Sequence, residues 1–376
     1  MLGIDQRISK YFDWITAFLI ALLATIGLFF VFSATYAPNK PPSIFFIKQA
    51  IGICIGFIIY ISCCIIDYRT LLRWGYFAYI AVIGLLIFTL IKGSIGMGAQ
   101  RWINLGFIKL QPSELAKLLF PAFAAYHLEI KKDEQQTFVR TFLPMLCILG
   151  ISFMLILKQP DLGTALIIAY TGLILLWLAG LPKKFFICSA LALFICAPII
   201  WRYVLKPYQK NRIAVFLGYG DTHKERYQIE QATIAIGSGG IWGKGLLQGT
   251  QNKLRFLPES RTDFIFAVLC EEWGLVGALI LLFMYILLFW RFIFTVLRLS
   301  DPTIQLFALG AIIHIILSTI INIGMVVGLI PIVGIPLPLM SYGLSNLWVT
   351  FASLGWFARI TMQQKYLEEY MPTFSR

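Results

Sequence analysis

The sequence is poor in charge. Only 13% of its 376 residues are Asp, Glu, Lys or Arg, whereas a soluble domain carries about 25%. Histidine is scarcer still, with three residues, and 18 acidic residues face 31 basic ones. So few charges exclude an ordinary soluble fold. The hydrophobic share of 59% and the mean hydropathy of +0.81 instead predict an integral membrane protein.

The sequence also lacks the spacings that would indicate a metal site, a disulfide framework or a cleaved leader. Its seven cysteines form no CxxC pair, have no histidine nearby and lie in apolar segments, so we interpret them as small core residues. No small-residue cleavage site follows the first apolar run. We therefore interpret that run as a membrane anchor.

Long apolar runs predict an all-α polytopic membrane protein with about ten transmembrane helices. A large outer loop, about residues 203–262, lies between helices 7 and 8, and we treat residues 1–376 as a single integral membrane domain. The predicted spans are 14–36, 44–66, 73–91, 112–128, 139–157, 160–179, 183–202, 263–290, 303–329 and 342–360.

The distribution of Lys and Arg in the short loops predicts that both termini are cytoplasmic. The long outer loop is itself rich in basic residues, and long loops escape the charge rule. A basic surface at the outer face favours an anionic partner such as a lipid phosphate. A generic solvated loop is the alternative interpretation.

Carboxylates stand at the entrance of the predicted eighth span, in TDFIFAVLCEEWG. A helix over 263–290 would be about 42 Å long, longer than a hydrocarbon core of about 30 Å. The bilayer portion therefore starts near Trp273, which places Glu271 and Glu272 at the outer interface and Asp263 near the tip of an extension. Asp263 is either a helix cap or a catalytic base, and the helix dipole would keep it ionised.

Other polar residues cluster at the same outer level, near the starts of the fourth and sixth spans. Glu114 and Lys117 share one helix face, as a structural salt bridge or as part of a site. Arg101 and Trp102 precede them in a loop that we predict folds back on the membrane surface. Asp161 follows a proline at a helix start, where capping is the default interpretation.

Two irregular segments complete the pattern. IGSGGIWGKG does not fit a phosphate-binding loop, because Ser238 and Gly245 stand where a Walker motif needs Gly and Ser or Thr. We predict that its glycines allow a tight turn and close packing on a substrate or a helix. IPIVGIPLPLMSYG is apolar but rich in proline, which predicts a segment buried in protein or lining a cavity. For Asn322, in the ninth span, we favour a helix–helix hydrogen bond over a site role.

Five long motifs together resemble the SEDS family of cell-wall polymerases, and its rod-shape branch more than its division branch. They are GAQRWINLGFIKLQPSELAK, QPDLGTA, YQIEQATIAIGSGGIWGKGLLQGTQ, FLPESRTDFIFAVLCEEWG and INIGMVVGLIPIVGIPLPLMSYG. The resemblance implies a ten-helix peptidoglycan glycosyltransferase in the bacterial cytoplasmic (inner) membrane. Such an enzyme polymerises lipid II at the outer face, for cell elongation and rod shape.

The resemblance also implies roles for individual residues. The aspartate of the TDFIF motif, Asp263, is implied to be catalytic. The predicted substrate-binding residues are Arg101, Trp102, Glu114, Lys117, Gln159, Asp161, Gln209, Arg212, Gln231, Lys244, Glu259 and Arg261. Two places depart from the family pattern. Arg261 stands where His is usual, and SYGLSN replaces SYGGSS, which introduces Leu344 and Asn346.

Partners and cofactors are implied only by the resemblance and the chemistry. The implied partners are lipid II, a class B penicillin-binding protein that cross-links the strands and other elongation-complex membrane proteins, with no nucleic acid. A divalent cation, Mg²⁺ or Mn²⁺, is compatible with a pyrophosphate leaving group, although the sequence has no dedicated metal motif. Two alternatives stay open: a flippase that carries lipid II across the membrane, and a scaffold that positions other wall enzymes.

Overall fold

The computed structural model describes residues 9–96, 99–104, 106, 109–132, 137–217, 219, 223–254 and 256–370. Helices dominate this part of the chain. In order they are α1 (Trp14–Thr35), α2 (Ile44–Ile65), α3 (Tyr68–Lys92), α4 (Pro112–Ile130), α5 (Leu143–Lys158), α6 (Leu162–Leu178), α7 (Lys183–Ile199), α8 (Pro207–Phe216), α9 (His223–Gly239), α10 (Thr250–Lys253), α11 (Ile265–Arg298), α12 (Pro302–Val326) and α13 (Leu344–Tyr370).

A helix lies at each of the predicted spans, as α1 to α7 and α11 to α13. In the described residues, six helical segments are long and apolar enough to cross a membrane: Trp14–Thr35, Ile44–Ile65, Tyr68–Lys92, Phe138–Lys158, Ile265–Arg298 and Pro302–Val326. The predicted all-α polytopic membrane fold is confirmed. The exact number of spans and the single-domain description stay predictions.

Polar side chains at the helix starts explain where several of these helices begin. The carboxylates of Asp13, Asp67 and Asp301 and the hydroxyl of Ser43 each accept a hydrogen bond from a backbone N–H in the first turn. Such a cap satisfies a donor that has no partner inside the helix. The starts of these helices are therefore determined by residues at the boundary itself.

The segment between α3 and α4 is a small antiparallel sheet rather than a simple loop. Its strands are β1 (Ser94–Gly96), β2 (Ala99–Asn104) and β3 (Lys109–Leu110), in the order β1-β2-β3. The prediction that Arg101 and Trp102 lie in a loop is therefore wrong, because β2 pairs with strands on both sides; that this segment folds back on the membrane surface stays a prediction. These strands are too short to show a clear alternation of polar and apolar residues.

The long helix α11 is broken at Gly274, directly after Trp273, where we predict that the bilayer portion starts. The backbone of Gly274 has φ 65° and ψ −162°, a conformation essentially restricted to glycine. The N–H groups of Leu275 and Val276 bond instead to the carbonyls of Gly240 and Ile241, at 2.9 and 3.1 Å. The glycine-rich segment thus packs against a helix, one of the two outcomes that its sequence predicts.

Substitution of Gly274 by Ala is expected to lower stability by about 1–3 kcal/mol or more. A Cβ here would lie 2.5 Å from the carbonyl oxygen of Ile241 and would also meet the backbone of Gly243. Thermal unfolding of the purified protein measures the effect. Gly237→Ala is the matched control, because a Cβ at Gly237 has open space. Equal melting temperatures for the two variants would show that the break does not need glycine.

Candidate functional site

Asp263 lies in a turn just before α11, and its carboxylate does not cap that helix. The N-cap residue is Phe264, which makes no side-chain cap hydrogen bond, so Asp263 does not occupy the capping position. Residues 265–270, which follow, are all buried in the protein. The capping alternative is therefore not supported, and the side chain of Asp263 is left available at the edge of the core.

The proline-rich segment 330–343 packs against this turn. The hydroxyl of Ser341 donates to the carbonyl of Thr262, and the N–H of Tyr342 donates to the carbonyl of Arg261 at 2.9 Å. Gly334 has φ +75°, and a Cβ at this position would lie 3.5 Å from Oδ2 of Asp263. Much of the segment is buried. Of the two predicted outcomes, burial in protein or lining a cavity, burial is confirmed, and the backbone of the segment lies beside Asp263.

Asn322 holds the turn and the segment together. Its side-chain amide donates to the carbonyls of Asp263 and Ile335, at 2.9 and 2.7 Å. The prediction of a helix–helix hydrogen bond for Asn322 is therefore wrong, because both acceptors belong to irregular backbone. Two features of the sequence could have indicated this role. Asn322 is an amide in an apolar span, and it is followed by a proline-rich segment whose carbonyls cannot pair within a helix.

The charges around Asp263 shift its titration. Loss of hydration, followed by the negative charge of Glu259, raises the pKa of Asp263 from 3.8 to about 6. The positive charges of Arg101 and Arg212 and the hydroxyl of Thr262 oppose this rise. Asp263 is therefore mostly ionised at pH 7, with a pKa close to the working range of a general base.

Arg101 connects the sheet to the start of α6. Its guanidinium lies 3.3 Å from Oδ2 of Asp161, and the side chain of Gln111 donates to the same oxygen at 2.7 Å. The other oxygen of Asp161 accepts from the N–H of Thr164 at 3.1 Å. Asp161 is thus the predicted helix cap and also one of the anchors of Arg101.

The predicted pair Glu114–Lys117 is formed and buried. The ammonium of Lys117 lies 2.7 Å from Oε2 of Glu114, and the two side chains are only 1% and 5% exposed. The amide of Asn346 donates to the same oxygen at 2.9 Å. Ser345, beside it, accepts from the N–H of Gln111. The start of α13 therefore joins this pair to the Arg101–Asp161 group.

The two departures from the family pattern have defined surroundings. The guanidinium of Arg261 lies 4.0 Å from the ring centroid of Phe45, a cation–π contact, and Phe45 packs edge-on against Tyr342. Leu344 occupies the space that a side chain at Gly52 would need. Both residues therefore brace the segment before α13, and a substrate contact for Arg261 stays a prediction.

Several predicted substrate-binding residues have other partners. The ammonium of Lys244 bonds at 2.7 Å to Glu271, which lies on α11 just before the break at Gly274. The amide of Gln159 donates to the carbonyl of Leu86 and the hydroxyl of Thr89. The side-chain oxygen of Gln209 accepts from the N–H of Lys206. Their roles in binding stay predictions.

Two more of the predicted substrate-binding residues are Trp102 and Gln231. The ring of Trp102 lies 5.9 Å from the guanidinium of Arg101, and Gln231 lies half-buried on α9. Their substrate contacts also stay predictions. The residues missed by the sequence reasoning are those that hold the site together: Gln111, Thr262, Gly334 and Ser341.

The described residues contain no group of three His, Cys, Asp or Glu side chains that could hold a metal ion. Glu271 accepts from Lys244 and from the N–H groups of Thr250 and Gln251 through one oxygen. Glu272 accepts from the hydroxyl of Ser33. In the described part of the chain, these two glutamates therefore have protein partners and no third His, Cys, Asp or Glu beside them with which to form a metal site.

Comparison with known proteins gives consistent matches over nearly the whole chain. Peptidoglycan glycosyltransferase MrdB of Escherichia coli (strain K12) is 39% identical over 324 residues, which are 86% of this chain and 87% of that protein. MrdB of Helicobacter pylori (strain J99) is 36% identical over 357 residues, 94% of this chain and 90% of that one.

Two solved structures also match the chain over most of its length. The rod shape determining protein RodA of Thermus thermophilus has a TM-score of 0.70 at 26% identity, over 94% of this chain and 97% of that chain. A chain from a peptidoglycan synthase complex, studied for its coordination of polymerization and crosslinking, has a TM-score of 0.77 at 29% identity, over 94% of this chain and 98% of that chain. Residues 13–366 match the family model described as cell cycle protein, FtsW/RodA/SpoVE. The chain therefore belongs to the FtsW/RodA/SpoVE (SEDS) family.

Proposed function

We propose that this chain polymerises lipid II into glycan strands at the outer face of the bacterial cytoplasmic membrane, with Asp263 as the general base. The class of activity follows from the relatives: the chain is a peptidoglycan glycosyltransferase, like the MrdB proteins that it matches. The observation that supports the role of Asp263 is a carboxylate with a pKa near 6 that caps no helix. It lies within the electrostatic reach of Arg101 and Arg212.

The reaction is a single displacement at the anomeric carbon of the donor. Asp263 takes the proton from the acceptor hydroxyl while that oxygen attacks, and the bond from the anomeric carbon to the pyrophosphate oxygen breaks. The electron pair leaves with the lipid pyrophosphate. One displacement inverts an α-linked donor into a β-linked strand and needs no second carboxylate as nucleophile.

Arginines near Asp263 suit the leaving group. Negative charge develops on the pyrophosphate as its bond breaks, and fixed cations stabilise that charge in a site with little water, often by several kcal/mol. We assign this role to Arg101 and Arg212. Asp161 pairs with Arg101 and itself accepts a hydrogen bond from Gln111, so Asp161 is a positioning residue in this scheme.

The pH dependence tests the base directly. We expect kcat/KM to rise with pH and level off above a midpoint near 6, because only ionised Asp263 accepts a proton. Glu259→Gln removes a negative charge that raises the pKa of Asp263, so the midpoint is expected to move to lower pH. The matched control is Glu230→Gln, an exposed outer-loop carboxylate paired with Arg226. An unmoved midpoint in Glu259→Gln would argue against Asp263 as the titrating group.

The flippase and scaffold alternatives are separated from polymerisation by one assay. Purified protein is mixed with lipid II in detergent, with and without a class B penicillin-binding protein, and glycan length is measured. A polymerase makes glycan without a second membrane leaflet, whereas a flippase or a scaffold makes none. Absence of glycan in both mixtures would contradict the proposal and direct attention to transport.

Partners and orientation extend the same proposal. A class B penicillin-binding protein, with other elongation-complex membrane proteins, would cross-link and organise the new strands. The match to a chain of a peptidoglycan synthase complex supports such a partner. The excess of Lys and Arg in the short loops supports cytoplasmic termini and, with them, a position of Asp263 at the outer face.

A further inference from the structure

A polar cavity lies at the other end of α11 from Asp263. It has a volume of about 360 Å³ and is formed by the residue before α1, the last turns of α11 and the C-terminal part of α13. About 36 Å of helix separates the break at Gly274 from Arg298, which exceeds a hydrocarbon core of about 30 Å. The cavity therefore opens at the opposite face of the membrane and takes no part in the proposed reaction.

One side of the cavity is a neutralised ion pair. A guanidinium nitrogen of Arg291 lies 2.7 and 2.6 Å from the two carboxylate oxygens of Asp13, and another donates to the hydroxyl of Thr16 at 3.1 Å. Burial alone would raise the pKa of Asp13, but the hydrogen bonds that its carboxylate accepts from Arg291 and Thr16 outweigh burial and hold the pKa below its usual value. Asp13 therefore stays ionised, and Arg291 has its charge balanced.

Two further cations line the cavity without such a partner. Among the residues that the structure describes, no ion pair within 4.0 Å is formed by Arg298 or Lys365. The guanidinium of Arg298 lies 4.0 Å from the ring centroid of Phe294, which holds it at the wall. Glu368 also lines the cavity. With three cations and two carboxylates, the lining carries a net positive charge and suits an anion.

The apolar rim decides which kind of anion fits. Trp290 is 66% exposed and Phe294 is 47% exposed, and both line the cavity. In a membrane protein, exposed aromatic side chains at the end of a span lie at the level of the lipid headgroups. A ligand that satisfies both the cations and this rim has an anionic head and an apolar tail.

We propose that this cavity binds the headgroup phosphate of an anionic phospholipid in the leaflet opposite Asp263. Basic pockets between membrane helices are known physical sites for such headgroups. A free phosphate ion shares the charge but would not use the aromatic rim. The lipid would hold α1, α11 and α13 together at the end of α11 opposite the turn that carries Asp263.

Native mass spectrometry of the purified full-length protein tests the proposal, with phosphatidylglycerol and phosphatidylcholine titrated separately. We expect the wild type to bind phosphatidylglycerol about tenfold more tightly than phosphatidylcholine. The double variant Arg298→Gln/Lys365→Gln is expected to lose this preference, because each cation near an anionic headgroup contributes to binding. The charge-preserving variant Arg298→Lys/Lys365→Arg is expected to keep it, which separates loss of charge from loss of folding.

The matched control is Lys183→Gln/Lys184→Gln, which removes two exposed cations at the start of α7 and is expected to bind like the wild type. Equal affinity for the two lipids in the wild type would overturn the proposal. So would an unchanged preference in Arg298→Gln/Lys365→Gln, or an equal loss in the control. Displacement of the lipid by millimolar inorganic phosphate alone would assign the cavity to a free anion instead.

Discussion

Replacement of Asp263 by Asn is expected to lower the rate of glycan formation by about 10²- to 10⁴-fold. The amide has the shape of the carboxylate but does not take the proton of the acceptor hydroxyl. Because no helix depends on Asp263 as a cap, the loss should appear in kcat rather than in folding. The measurement is polymer formed from lipid II by the purified protein with a class B penicillin-binding protein, at saturating substrate.

The raised pKa of Asp263 also predicts how Asp263→Asn affects stability and pH dependence. Its folded pKa of about 6 lies above the ordinary 3.8, so ionisation at pH 7 opposes folding, and a neutral Asn should not lower the melting temperature. The residual rate should also lose its rise near pH 6. Glu230→Gln again serves as the control, with an unchanged rate. A fully active Asp263→Asn protein would move the search for the base to Glu114, Asp161 or Glu271.

Replacement of Lys117 by Met is expected to destabilise the protein by about 3–5 kcal/mol, because it leaves the carboxylate of Glu114 buried without its cation. Both side chains are almost fully buried and lie 2.7 Å apart. Asn346 still donates to Glu114 but carries no charge. Thermal or denaturant unfolding of purified protein measures the loss.

The double variant Glu114→Gln/Lys117→Met distinguishes a structural pair from a binding pair. Without either charge, the buried penalty disappears, and we expect the melting temperature to return close to that of the wild type. If Lys117 also binds substrate, as the family resemblance implies, polymerisation stays low in this stable protein. Wild-type stability of Lys117→Met alone would show that the carboxylate of Glu114 does not depend on Lys117.

The helices of this protein were predictable because their signals are local. Apolar runs such as 14–36 and 44–66 predict helices that the structure places at Trp14–Thr35 and Ile44–Ile65. Hydrogen bonds of a helix lie within the segment itself, so composition and a capping residue are enough to locate it. The pairing of Glu114 with Lys117 was predictable for the same reason, since residues three apart share a helix face.

The strands β1 to β3 were missed because a strand depends on a partner elsewhere. β2 pairs with residues on both sides, in a register that no short stretch encodes. The position of Arg101 beside Asp161 has the same origin, since their contact joins a strand to the start of α6. The sequence predicts that both residues lie at the outer face, but it did not pair them.

The sequence by itself determined the helical membrane fold and, through the family motifs, indicated Asp263 as the candidate base; it also predicts that the polar residues lie at the outer level. The tertiary structure decided what surrounds that carboxylate: Gly334 beside it, Asn322 on its backbone, and Glu259 opposed by Arg101 and Arg212. The physical reason is the range of the interactions. Helix formation is settled within a few turns, whereas the pKa of a group depends on every charge and every loss of water around it, and the fold brings those groups from distant parts of the chain.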